Sequence, residues 1–339
     1  MKLIITGCKG YVGYPLLIEL LANTNHEIVG IDNEARAEWV ARCGGSPAWK
    51  GKTAKLEGFI YLNHDLTDFN FVKEILTIHK PDVIIHLASQ PSMPYSQLNG
   101  ERAIFTQVNN LTMLLNLLWG AKEVGIKPRF IVTTTTGISG QAYDKIPEGH
   151  TINWAGSWYH VSRGFDSANL NLASRQFGFE VVEFRTSIVY GLQTATMAGV
   201  DTTTRFDTDE FFGTALNRFI DQAINKKPIT IYGAGKQIKP FISLNDTVIS
   251  LANAIDYPFT ERHTILNQVT NNVSINDVAE FVKLFTHCEV KHIPNPRQEK
   301  EDWQMIFENE KFLKVLGKTP DSFSDGIKEM IKVLTTDAS

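Results

Sequence analysis

Thr6-Gly7-Cys8-Lys9-Gly10-Tyr11-Val12-Gly13 is the stretch on which the reading of this chain turns. It follows a short apolar run, Leu3 to Thr6, and leads into Tyr11 to Leu21, apolar on most faces. That order reads as strand, turn, helix. Glycines at 7, 10 and 13 permit a tight turn, close approach to a pyrophosphate and close packing of helix on sheet. The helix start beyond them offers free N–H groups and partial positive charge to phosphates. Asp32 lies 19 residues after Gly13, at the end of a second strand, Glu27 to Ile31. An acid there binds the adenosine ribose hydroxyls and repels a 2′-phosphate, which favours NAD over NADP. Arg36 and Arg42 lie close enough in sequence to leave that choice open. The plain alternative is a strand–helix turn with chance glycines and a capping Asp.

Outward from this turn the alternation continues. Phe59 to Leu62, Val83 to His86 and Phe130 to Thr134 read as strands, with helices at Phe71 to His79 and Ala103 to Val124. Short apolar strands alternating with helices imply a parallel sheet covered on both faces, and right-handed crossovers make it a doubly wound Rossmann sheet. Residues 33–57 break the pattern, with Gly44-Gly45, Pro47 and several charges, and read as an insertion or a loop beside the cofactor. After Val189 the character changes. A Thr- and Asp-rich stretch at 201–209 precedes helices expected at 211–224, 245–255, 275–285 and 322–334, with short strands at 229–232 and 239–242. The expected class is therefore α/β. A NAD-binding Rossmann domain spans 1–189, with a return segment at about 243–256. A smaller mixed α/β domain spans 190–339 and binds substrate.

The bulk figures agree. The chain has 339 residues, 43% hydrophobic and 21% charged, which is ordinary globular composition. A net charge of −4 argues against nucleic acid as main partner. No apolar run is long enough for a membrane span. Cys8, Cys43 and Cys288 show no paired or metal-binding spacing. A cytoplasmic protein without metal, disulfide, nucleic-acid or membrane partner is expected.

Tyr159 and Arg163, in Tyr159-His160-Val161-Ser162-Arg163, share one helix face by their spacing. A phenol titrates near pH 10, and a fixed cation beside it lowers that value toward proton-transfer work at neutral pH. The same spacing also serves packing and solubility on many helices.

Three features together resemble the extended short-chain dehydrogenase/reductase family of nucleotide-sugar epimerases and dehydratases. They are the glycine spacing at 7, 10 and 13, the turn His64-Asp65-Leu66, and the pair Tyr159 and Arg163. Within that family the chain looks most like the UDP-sulfoquinovose synthase group. Segments carrying this likeness include Pro94-Tyr95-Ser96, Phe105-Thr106-Gln107-Val108-Asn109-Asn110, Tyr159-His160-Val161-Ser162 and Pro294-Asn295-Pro296-Arg297. So does the run from Phe212 to Phe219, with Gly213-Thr214-Ala215-Leu216-Asn217-Arg218 at its centre.

The resemblance implies that Tyr159 abstracts a sugar hydroxyl proton while hydride leaves C4 for NAD. Thr135 would bind the same hydroxyl, and Arg163 would stand where the family has a lysine on the nicotinamide ribose. NAD would be bordered by Gly7, Gly10, Tyr11, Val12, Gly13, Asp32 and Asn33, by Asp65, Leu66, Leu87, Ala88 and Gln90, and by Asn109, Thr133 and Ile188. Pro94, Tyr95, Thr214, Asn217, Arg218, Lys239 and Arg297 would line the site of a nucleotide-diphosphate sugar, a UDP-sugar first. Two long helices, at 103–124 and 158–174, resemble those of a homodimer contact. Bland alternatives stand beside these roles. Thr135 lies in a run of four threonines that favours a strand. Arg218 and Arg297 could form surface pairs. His86 reads as a core histidine.

Two departures from the family matter. Arg163 replaces the lysine; it keeps the charge but is bulkier. The loop after Thr135 places Thr136, Gly137 and Ile138 where relatives carry acids, and neither glycine nor isoleucine has a side chain able to move a proton. Water elimination and sulfite addition are disfavoured on that ground unless another acid, Asp144 or Glu148, reaches in. The leading expectation is an enzyme that oxidises C4 and then epimerises or otherwise modifies the sugar. The alternatives are a UDP-sulfoquinovose synthase with altered acid/base residues, and a dinucleotide-binding regulator that has lost turnover.

Overall fold

The structure is a computed structural model and describes residues 1–44, 55–140, 145–151, 156–295 and 304–336. The chain begins with alternating elements: β1 (Lys2–Thr6), α1 (Gly13–Asn23), β2 (Glu27–Asp32), α2 (Arg36–Arg42), β3 (Ile60–Asn63) and α3 (Phe69–His79). It continues through β4 (Val83–His86), α4 (Met93–Ser96), α5 (Gly100–Val124), β5 (Arg129–Thr135), α6 (Trp158–Phe177) and β6 (Val181–Thr186). The second half holds β7 (Ile188–Tyr190), α7 (Ala195–Gly199), α8 (Ala215–Ile224), β8 (Ile229–Tyr232), β9 (Ile238–Ser243) and α9 (Leu244–Asn253). It closes with β10 (His263–Gln268), β11 (Asn271–Ser274), α10 (Ile275–Thr286), β12 (Val290–Ile293), α11 (Glu310–Leu316) and α12 (Phe323–Thr336).

Seven strands form one sheet in the order β10-β6-β5-β4-β1-β2-β3, and every pairing in it is parallel. The order reverses between β1 and β4, the switch point at which open α/β sheets bind ligands. Both faces are covered. Leu3 and Ile5 of β1 pack with α1, α9 and α11, while Ile4 packs on the opposite side with α3, α5 and α6. The alternation of Leu3, Ile4 and Ile5 between two cores is the two-residue period of a strand buried on both faces.

Two small sheets, β11-β9-β7 and β12-β8, complete the structure, with α8, α10 and α12 on their own apolar core. Helix α9 returns to the large sheet through Val248 and Leu251. Strand β10 then joins its edge beside β6, a strand the sequence reading did not find.

Other boundaries move for local reasons. The helix expected from Phe211 starts at Ala215. Asp209 takes the amides of Phe211 and Phe212 at 2.9 and 2.8 Å, and Thr214 caps α8 by accepting from the Asn217 amide at 3.1 Å. These side chains offer the backbone partners that helix extension would have to replace. Part of the atypical segment 33–57 is helical, as α2; residues 45–54 lie outside the described residues. No helix among the described residues is long and apolar enough to cross a membrane.

Candidate active site

At the switch point lies a cavity of about 1010 Å³, at the upper end of ordinary ligand cavities. One end is built by the glycine turn. A Cβ on Gly13 would stand 2.0 Å from the Gly7 carbonyl oxygen, and one on Gly7 would stand 2.8 Å from the Ala88 nitrogen. Gly7 also sits at φ +71°, where a side chain is strained. The turn therefore folds flat against β4 and leaves the start of α1 open; the Ncap residue, Val12, supplies no side-chain cap. Free amides of that kind are what a pyrophosphate needs.

Asp32 accepts from the Lys9 and Glu34 amides at 2.9 and 2.8 Å. The cations around it are all engaged. Lys9 pairs with Glu34 at 2.6 Å, Arg36 with Asp207 at 2.8 Å, and Arg42 with Glu38. Among the described residues no cation there is left to receive a 2′-phosphate, and the acid stays beside the ribose position. This end fits NAD.

The other end holds the residues expected to be catalytic. Ser157 caps α6 by accepting from the His160 amide at 3.2 Å. The helix then brings Tyr159 and Arg163 onto the cavity wall beside Thr135 at the end of β5. The Thr135 side chain faces the Tyr159 phenol and acts to lower its pKa. The expected lowering of the phenol by Arg163 is overridden. Burial is the largest influence and raises its pKa; Arg163 pulls it down, but Asp166 pushes it back up. Arg163 itself is only 2% exposed. One of its terminal nitrogens lies 2.7 Å from Asp166, and the other donates to the Thr133 carbonyl. The guanidinium is thus drawn toward the sheet and its helix.

His160, one residue after the tyrosine, stands in a string that carries the family resemblance but received no role there, because the next position on a helix points about 100° away. Its ring lies directly over Gly137: a Cβ there would be 2.3 Å from Nε2. Its Nδ1 is buried without a hydrogen-bond partner, and the ring lines the cavity. Burial and the nearby Lys239 lower its pKa to about 4. The loop residue Ile138 is buried away from the cavity, while Thr136 and Gly137 line it. The loop without a proton carrier is therefore covered by an imidazole from the facing helix.

Most expected positions meet in this cavity. Tyr11, Val12, Asn33, Leu66, Leu87, Ala88, Asn109, Thr133 and Ile188 line it toward the glycine turn and the phenol. Pro94, Thr214, Asn217, Arg218 and Lys239 line its remainder. Arg218 donates to the Tyr232 hydroxyl at 2.8 Å, and its Nε is buried without a partner.

Three expected residues do not line the cavity. Asp65 takes Asn33 Nδ2 at 2.9 Å and the Thr67 amide at 2.8 Å. Gln90 is fully buried, donating to Thr106 at 2.8 Å. Tyr95 is fully buried, its hydroxyl accepting from Arg102 at 2.7 Å. Each acts behind the wall. Arg297 and Asp144 lie outside the described residues. Glu148 is spent elsewhere: it accepts from the amides of Asn267, Lys311 and Phe312, at the start of α11. His86 is a core histidine, bonded to Thr6 at 2.8 Å.

A family model described as the NAD dependent epimerase/dehydratase family matches residues 3–267. Among curated proteins, the UDP-sulfoquinovose synthase of Sulfolobus acidocaldarius is 30% identical, over 98% of this chain and 92% of that protein. The chloroplastic UDP-sulfoquinovose synthase of Spinacia oleracea is also 30% identical, over 97% of this chain and 74% of that protein. Among solved structures, a UDP-glucose 4-epimerase from Thermotoga maritima, with UDP-glucose, superposes with a TM-score of 0.81 at 20% identity, covering 100% of both chains. A UDP-glucuronic acid 4-epimerase from Bacillus cereus, in complex with UDP-glucuronic acid and NAD, gives 0.78 at 22% identity and 99% coverage of both.

Proposed function

The chain belongs to the NAD-dependent epimerase/dehydratase family, and from that premise we propose that it carries its nucleotide sugar past C4 oxidation to chemistry at C5 and C6, as a UDP-sulfoquinovose synthase would. As a member it is an NAD-dependent enzyme that modifies a nucleotide sugar through transient oxidation at C4. The observation that carries the finer reading is His160 over Gly137, an imidazole that lines the cavity and whose buried Nδ1 has no hydrogen-bond partner.

The residues divide the work. Thr135 and Tyr159 hold the C4 hydroxyl, and Tyr159 takes its proton. NAD, held by the glycine turn and Asp32, supplies hydride acceptance when bound. The C4 ketone makes the C5 hydrogen acidic. His160, neutral at pH 7 by its lowered pKa, removes that hydrogen as a proton and passes it to the departing C6 hydroxyl, which leaves as water. A nucleophile such as sulfite then adds at C6, C5 is reprotonated, and the ketone is reduced. Arg218 and Lys239 give a sugar diphosphate its counter-charge. The sequence argument against elimination rested on the loop alone; His160 removes its premise. The substrate most consistent with these relatives is UDP-glucose. Product mass with UDP-glucose, with and without sulfite, tests this. A sulfonated product that His160→Ala abolishes is expected; the same product from both proteins refutes it.

A simple 4-epimerase is the second reading, favoured by the sufficiency of Tyr159 and Thr135 for that reaction. C4-inverted product without any sulfite requirement would select it. We also propose a cytoplasmic homodimer. Ile104, Val108, Leu115 and Trp119 on α5 and Trp158, Phe165 and Leu172 on α6 are exposed, at helical and heptad spacing. Two stripes of that kind on adjacent helices suit a second copy.

A further inference from the structure

Behind the phenol stands a carboxylate for which neither cofactor nor substrate accounts. Asp166 is fully buried on α6, one turn beyond Arg163, and its Oδ2 lies 2.7 Å from the guanidinium. Among the described residues neither oxygen has a hydrogen-bond partner, so the arginine is what it serves. The other buried acid nearby, Glu183 on β6, is taken. It accepts from Thr134 and Ser167 at 2.8 Å each and from Arg185 at 3.3 Å, and it meets His263 of β10 at 3.2 Å.

We infer that Asp166 is a positioning residue of the reaction: it holds Arg163 beneath Tyr159 and sets how much of the arginine's charge reaches the phenol. The charged and titratable groups facing this unit are few. Tyr159 is met by Arg163 and Asp166 from its own helix and by the Thr135 hydroxyl from β5. Asp166 is met by Arg163 and by Glu183. Arg163 also acts on His86 of β4, held neutral well below pH 7. Arginine in the lysine position brings a larger cation that cannot shed its proton. The Asp166 carboxyl, raised to about 7 by burial although Arg163 pulls it down, tempers that cation as it ionises and lies on its other side from the Thr133 carbonyl.

The inference rests on Tyr159 being the base of the proposed reaction, and Tyr159→Phe tests that separately: retained C4 oxidation would remove the base while saying nothing about Asp166. With Tyr159→Phe inactive, Asp166→Asn decides. It keeps the shape and removes the charge, so the acid limb of kcat/KM for C4 oxidation is expected to move to lower pH by about one unit. His160 titrates too low to supply that limb. A purely structural pair would lower yield or melting temperature and leave the limb in place; an unmoved limb overturns the inference. Should the Asn variant fail to fold, Asp166→Glu carries the test. It keeps the charge but displaces the guanidinium, so reduced kcat and an acid limb moved from its wild-type pH are expected. Wild-type kcat with the limb in place overturns it.

Discussion

Gly137→Ala isolates the role of the imidazole without touching it. Gly137 does not have a positive φ, so the backbone accepts alanine. The obstacle is the ring: the new Cβ would lie 2.3 Å from Nε2, 2.4 Å from Cδ2 and 2.8 Å from Cε1 of His160. Ordinary contact begins at 3.4 Å, so the ring must retreat by about 1 Å (3.4 − 2.3). These atoms are the far end of a side chain with two torsions, and the loss of stability should stay within about 1–3 kcal/mol. A misplacement of about 1 Å in a proton-transfer group costs on the order of 100-fold. C4 oxidation, followed by nicotinamide absorbance, should therefore stay near wild type, while product formed with sulfite falls roughly 100-fold. The double variant Gly137→Ala/His160→Ala should be no slower than His160→Ala, because both changes remove one unit. Wild-type turnover from Gly137→Ala, or multiplicative losses in the double variant, would refute the reasoning.

Three further outcomes follow from the geometry. Gly13→Ala drives a Cβ to 2.0 Å from a backbone oxygen that cannot swing aside, so NAD affinity by calorimetry should be lost together with stability. Arg163→Met leaves Asp166 buried and unpaired and should cost about 3–5 kcal/mol by denaturant unfolding, far more than Arg163→Lys, which keeps a charge. The pH dependence has a definite sign. His86 is lowered to about 3 and His160 to about 4, from 6.5, so the unfolded chain binds their protons first. Their contribution is complete above pH 6.5 and drains as pH falls toward 4 and 3, by roughly 2 kcal/mol each at pH 5. Glu183, held near 2, adds its loss only below about pH 4.5. Asp166, raised to about 7 by burial, works in the opposite sense and returns roughly 2 kcal/mol over the same span. The melting temperature of Asp166→Asn should therefore fall more steeply from pH 7 to 5 than that of the wild type; parallel profiles would contradict this balance.

The parallel sheet and its ligand crevice were legible because Leu3, Ile4 and Ile5 and their counterparts are apolar without interruption, and because the glycines follow at once. Strand β6 was hidden because Glu183 and Arg185 interrupt its apolar run; they are fully buried, bonded to each other and to neighbouring side chains. Strand β10 was hidden by Asn267 and Gln268 in the same way. Tyr159, Thr135 and the glycines were within reach of spacing and resemblance. His160 stood in a string that carried the resemblance but showed no role there, and Asp166 gave no signal. Their meaning depends on which residue of a distant loop, or which turn of the same helix, each one faces. Gln90 and Tyr95, expected at the site from the resemblance, are fully buried and do not line the cavity.

Deuterium incorporation at C5 of UDP-glucose in heavy water, read by NMR and mass spectrometry, bears most directly on the central claim. The account predicts label at C5 in the wild-type protein with NAD, and none in either Tyr159→Phe or His160→Ala, although the latter still reduces its nicotinamide. C4-inverted sugar with no label at C5, or label that persists in His160→Ala, would contradict it.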